Sequence, residues 1–175
     1  MSQIRPLAIC IFRDGDRILV GEGYDPVKRE TFYRPLGGGI EFGERAGQTI
    51  QREVREEIGA EVVSLQYLFT LENIFMFNGE TGHEIVMVYD GQLVDEALYA
   101  QEMIEGREFD GFRQAPLKAV WKRIEEFGPL SPLYPRWFAG TPEMKLPAKW
   151  REVFGLEARE TIVDSTECIA NRRAE

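Results

Sequence analysis

Glu53, Glu56 and Glu57 fall within one short stretch, Gly38 to Ala60, which reads GGIEFGERAGQTIQREVREEIGA. Carboxylates spaced in this way act together only if the backbone turns them to a common side. A helix does so: at roughly 100° per residue the three project within an arc of about 100°. Like charges at i,i+3 and i,i+4 repel and weaken an isolated helix, so the pattern calls for a cation. Mg²⁺ suits it, because it takes a few carboxylates and completes its octahedron with waters and substrate phosphates. The competing reading is a solvated helix face with Arg52 and Glu56 as a favourable i,i+4 pair; convergence of three acids favours the metal.

The element that must position these acids is an amphipathic helix. Ala46, Ile50, Val54 and Ile58 recur one turn apart, and Gly59 stands where a left-handed C-terminal cap belongs. Glu57 lies beside this apolar stripe and should be partly buried. The glycines ahead of the helix form a tight lead-in loop.

Gly38, then five residues, Glu44, seven residues, Arg52-Glu53-Val54, one residue, Glu56-Glu57, one residue and Gly59 is a spaced pattern that resembles the box of the Nudix hydrolases. The box covers 23 residues, and Arg34-Pro35-Leu36-Gly37 resembles the family's lead-in. The one departure is Ala60, where a larger aliphatic residue is usual; it is a packing position. The resemblance implies an α/β fold, an α/β/α sandwich with a curved mixed β-sheet, and a Mg²⁺-dependent hydrolase (Mn²⁺ as a substitute) that attacks a phosphoanhydride. It implies metal ligands Glu53, Glu56 and Glu57 with the Gly38 carbonyl, and an Arg52–Glu44 pair that orients the acids. The general base is either Glu53 or an acid of the loop after the last long strands, where Glu102, Glu105 and Glu108 stand unranked.

Other candidates carry weaker signals. Arg34 reads equally as a guanidinium for a substrate phosphate or as a salt bridge to Glu41 or Glu44. His83, at a strand start, reads as a surface or packed residue. Phe32, Tyr33, Phe75 and Phe77 include possible base-stacking rings, but strand aromatics usually pack in a core.

The chain has 175 residues, 43% of them hydrophobic, enough for one domain with a real core. A net charge of −9 argues against a groove tracking many nucleic-acid phosphates, while leaving room for one small nucleotide neutralised by metal. Cys10 and Cys168 have no metal-ligand spacing and read as free thiols of a reducing compartment, and no segment suggests a membrane span, so the expected setting is cytoplasmic. Strands are expected over Leu7 to Phe12, Arg17 to Gly21, Glu61 to Phe77, His83 to Val94 and Lys118 to Lys122, with Thr31 to Leu36 leading into the glycines. A polar loop is expected over Glu22 to Glu30, a turn over Asn78 to Gly82, a loop or short helix over Asp95 to Asp110, and a helical turn from Lys122 to Phe127. Residues 1–140 are read as a single domain. Residues 141–175 are read as an extension with a docking helix at Lys149 to Phe154 and a polar tail; a helix at Leu133 to Ala139 would carry Pro135 in its first turn.

Family members specific for ADP-ribose often carry a Pro about fifteen residues past the box, where this chain has Phe75. Those acting on dinucleoside polyphosphates often carry a Tyr slightly further on, where it has Met76, Phe77 and Asn78. Both markers are missing, which favours a (d)NTP pyrophosphatase over an ADP-ribose or nucleotide-sugar pyrophosphatase. A binding module of the same fold that senses a nucleotide without turnover is disfavoured, because such proteins usually lose box glutamates and this one keeps them.

Overall fold

The computed structural model describes residues 3–109 and 114–135. Seven strands and one α-helix follow in the order β1 (Ile4–Asp14), β2 (Arg17–Asp25), β3 (Glu30–Gly39), α1 (Ala46–Ile58), β4 (Val62–Phe77), β5 (Glu80–Leu93), β6 (Met103–Phe109) and β7 (Gln114–Arg123). They form one mixed sheet, ordered β4-β5-β1-β3-β2-β7-β6, in which β1 and β5 run parallel and the other neighbours antiparallel. The mixed α/β sheet is the expected one. Ala8 to Phe12 in β1 are buried without a break, as befits a central strand covered on both faces.

Helix α1 occupies the anticipated stretch. Ile50 and Val54 are completely buried in one core cluster with Ala8, Cys10, Leu19 and Leu36, each such side chain contributing about 1.5–3 kcal/mol. Gly59 ends the helix at φ 69°, and its N–H donates to the Arg55 carbonyl.

Loops are shorter than anticipated. The β4–β5 turn is Asn78-Gly79 alone, with φ of 50° and 80°, the paired positive angles of a type I′ hairpin. Within Glu22 to Glu30, pairing extends to Asp25 and resumes at Glu30, because the buried Asp25 carboxylate accepts from the N–H groups of Val27 and Lys28 and closes the turn. These hydrogen bonds, that from Lys28 foremost, hold its pKa below the ordinary carboxyl range.

The main correction concerns Asp95 to Asp110. Asp95 caps a 3₁₀ turn over Glu96–Ala100, and Met103–Phe109 is a strand, not a loop. Its acidic residues hide a period-two pattern in which Ile104 and Gly106 face inward, and pairing with β7 supplies the order that composition does not. Strand β7 starts earlier than expected, at Gln114, and the helical turn before Phe127 is a 3₁₀ turn over Ile124–Glu126. Only 133–135 of the Leu133 to Ala139 helix are described; the Lys149 to Phe154 helix, Cys168 and residues 141–175 lie outside the described residues.

Candidate active site

Glu57 is the deepest of the three helix acids. It is 5% exposed, and its Oε2 accepts from the Gly37 N–H at 3.2 Å. Gly37 permits that approach: its φ is +130°, and a Cβ there would stand 2.3 Å from the Ala8 carbonyl oxygen. Desolvation dominates the carboxyl and pushes its pKa up to about 7, against the nearby Arg34 charge. Glu53 sits higher, with its side chain 19% exposed. Burial raises its pKa, opposed by the hydrogen bond from Arg52 Nη1 to its Oε1 at 2.9 Å. Glu56 is exposed and touches Arg52 at 3.3 Å.

Glycine shapes two of the contacts around these acids. A Cβ on Gly38 would fall 2.3 Å from Glu53 Oε1, so only a bare backbone lets that carboxylate lie against the end of β3. A Cβ on Gly106 would fall 2.0 Å from the Glu57 carbonyl oxygen. Strand β6 therefore presses against the last turn of α1 and brings Glu108 beside the helix acids.

Arg52 ties these parts together. Its Nε and Nη2 form a fork to the two oxygens of Glu44, each at 3.0 Å, and Nη2 also donates to the Gly39 carbonyl. Glu44 further accepts from the Thr49 hydroxyl at 2.8 Å and the Glu41 N–H at 3.2 Å. The Arg52 hydrogen bonds lead in holding the Glu44 pKa down at about 2, and Glu44 in turn raises that of Arg52.

A cleft of about 320 Å³ is lined by Glu53, Glu56, Glu57, Arg107, Glu108 and Gln114. Glu108 is ion-paired to Arg34, so the Arg34 partner is neither Glu41 nor Glu44. Glu102 and Glu105 stand outside the cleft and exposed, Glu102 just ahead of β6 and Glu105 across from Lys118. Among the described residues no three acids are already gathered at metal-ligand spacing. Glu53 leans to Arg52 and Glu57 to Gly37, as mutually repelling carboxylates do when other donors are in reach.

The ring and histidine candidates have packing partners. Phe32 meets Phe77 and Tyr134 edge-on at 5.8 and 5.6 Å, Tyr33 meets Phe127, Phe75 lies over Gly82, and His83 pairs with Glu72 at 2.7 Å. Arg107 and Gln114 were not anticipated. The signal that could have found them is the alternation of β6, masked by its charged residues.

The family model described as NUDIX domain matches residues 2–137. The chain is 32% identical over 152 residues to an NAD-capped RNA hydrolase NudC of Pseudomonas putida, covering 83% of this chain and 49% of that protein. It is 43% identical over 65 residues to the human mitochondrial NAD(P)H pyrophosphatase NUDT13, covering 37% of this chain and 18% of that one. It thus spans about half or less of the length of these curated relatives. Among solved structures, a MutT NUDIX hydrolase from Burkholderia pseudomallei superposes with a TM-score of 0.53 at 20% identity, covering 77% of this chain and 92% of that one, a likeness of fold. Together with the box from Gly38 to Gly59, the match across residues 2–137 means that this chain belongs to the Nudix hydrolase family.

Proposed function

We propose that the chain is a divalent-metal-dependent pyrophosphohydrolase of nucleoside diphosphate derivatives. The observation that carries this reading is the joint lining of one cleft by Glu53, Glu56 and Glu57, with Arg52 braced on Glu44 behind them. The donors fit Mg²⁺ or Mn²⁺: all are oxygens, and Glu57 is a buried carboxyl with, among the described residues, a single hydrogen-bond donor, and its burial disfavours its charge. Glu53, Glu56, Glu57 and the Gly38 carbonyl would hold the ion. When bound, it neutralises pyrophosphate oxygens and acidifies water.

The chain's own groups do the remaining work. Arg52, fixed by Glu44 and the Gly39 carbonyl, holds Glu53 and Glu56 in orientation. Glu53 is the better base of the two cleft candidates. Among the described residues its Oε2 has no hydrogen-bond partner, and burial raises its basicity, whereas Glu108 is committed to Arg34. Glu53 Oε2 would take the proton of a water attacking phosphorus, and anhydride cleavage would release a nucleoside monophosphate.

Within this class the curated relatives favour a dinucleotide of the NAD type over the (d)NTP suggested by the missing Pro and Tyr markers. A small nucleotide, or one capping an RNA end, is the partner this reading names. The free, buried thiol of Cys10 suits a reducing, cytoplasmic setting, and no helix among the described residues is long and apolar enough to cross a membrane. The test is turnover of dNTPs, NADH, ADP-ribose and nucleotide sugars with Mg²⁺ and with excess chelator. Rates that need the metal and are highest on NADH support the reading; full activity in chelator removes it.

A further inference from the structure

Three arginines stand around the cleft, and two have their charge taken up. Arg52 spreads its guanidinium over Glu44, Glu53 and Glu56. Arg34 is paired to Glu108, and its charge lies close enough to Glu53 and Glu57 to oppose the upward pKa shift that burial gives both. Arg107 differs. It is exposed, it lines the cleft, and among the described residues it makes no ion pair; its contact is a loose one of 3.5 Å from Nη1 to Gln114 Oε1.

The placement of Arg107 follows from the fold. Strand β6 is the sheet edge opposite β4, and Gly106 lets it lie against the end of α1. Arg107 and Glu108 are consecutive and so leave β6 on opposite faces, yet both line the cleft, which therefore reaches around this edge. Gln114 begins the partner strand and comes within 3.5 Å of Arg107 there. The helix acids form one wall and the β6–β7 end the other.

Four carboxylates line the cleft, and a pyrophosphate would bring further negative charge. A divalent ion on the acid wall offsets part of that. The opposite wall must offer a cation that is not already neutralised, and a guanidinium suits because its planar fork matches phosphate oxygens. We propose that Arg107, beside Gln114, binds the substrate phosphate on the side of the cleft away from α1, while Arg34 serves as counter-charge to Glu108 and the helix acids. This rests on the pyrophosphohydrolase reading above and assigns the residue that grips its substrate.

The test is calorimetric binding of α,β-methylene-ADP, a nucleoside diphosphate with an uncleavable bridge, in Mg²⁺ at low and at raised salt. Kinetics on the best substrate of the panel and melting curves accompany it. Arg107→Ala should weaken probe binding and raise KM by about 10- to 100-fold, the loss of one charge-assisted phosphate contact, with kcat within about threefold. Its binding should also depend less on salt than that of the unaltered protein, and Arg107→Lys, with charge but no fork, should fall between the two. Unchanged binding in a folded Arg107→Ala variant of an active enzyme overturns the assignment alone. So does a result in which Arg34→Gln, and not Arg107→Ala, carries the salt-dependent loss. A protein that neither binds the probe nor turns over any nucleotide overturns the pyrophosphohydrolase reading as well.

Discussion

Glu57→Gln should lower turnover by about 10²–10⁴-fold while making the metal-free protein more stable at pH 8. The first effect follows from the proposed role of Glu57, whose removal would take away a charged ligand and with it the acidified water. The second follows from burial. Between its ordinary value of 4.5 and the folded value of about 7, the Glu57 carboxyl binds more proton in the folded chain than in the unfolded one. Its contribution to stability therefore falls as pH rises through that window and is flat above it. The penalty at pH 8 is of order 3 kcal/mol, one pKa unit being about 1.4 kcal/mol. Glutamine keeps an acceptor for the Gly37 N–H and carries no charge. Chemical unfolding of both proteins in chelator should show the variant's advantage at pH 8 and its disappearance toward pH 5; added Mg²⁺ should stabilise the parent more than the variant. A variant less stable at pH 8 would mean that Glu57 is held by donors beyond Gly37.

Arg52→Ala is the second large effect. The arginine makes five contacts, to Glu44, Glu53, Glu56 and the Gly39 carbonyl, so its loss frees Glu53 and Glu56, the two proposed ligands it holds, and leaves Glu44 with Thr49 and Glu41. Activity should fall about 10–100-fold, chiefly through weaker metal binding, and raised Mg²⁺ should recover much of it. Mg²⁺ titration of the rate checks this: a lowered plateau with an unshifted midpoint would mean that Arg52 acts on substrate. Glu44 should show a related acid sensitivity. Its pKa is depressed to about 2, so the stability it contributes is present above about 4.5 and lost as pH falls toward 2.

How much of this was legible beforehand depended on the kind of signal. The stripe from Ala46 to Ile58 with Gly59 is a strong local code, and α1 occupies that span. The burial of Glu57 follows from the same periodicity. Spacing alone could not give the Arg34 partner, because Glu108 is 74 residues away in sequence and reaches Arg34 through the packing of β6 on α1. Strand β6 itself was hidden because its order comes from pairing with β7, and MIEGREF carries little β propensity of its own. Arg107 was lost with it. The Asp25 turn was likewise opaque: its donors Val27 and Lys28 are local, but the third, the Asn78 N–H, comes from the β4–β5 hairpin.

The central claim is that this acid-walled cleft directs water to phosphorus, and turnover in ¹⁸O-labelled water tests it most directly. With NADH, or the best substrate of the panel, and Mg²⁺, mass spectrometry should find one labelled oxygen on the phosphate of one monophosphate product, and Glu57→Gln should nearly abolish that labelling. Label found only on a ribose or a base fragment, with the pyrophosphate intact, would contradict the account.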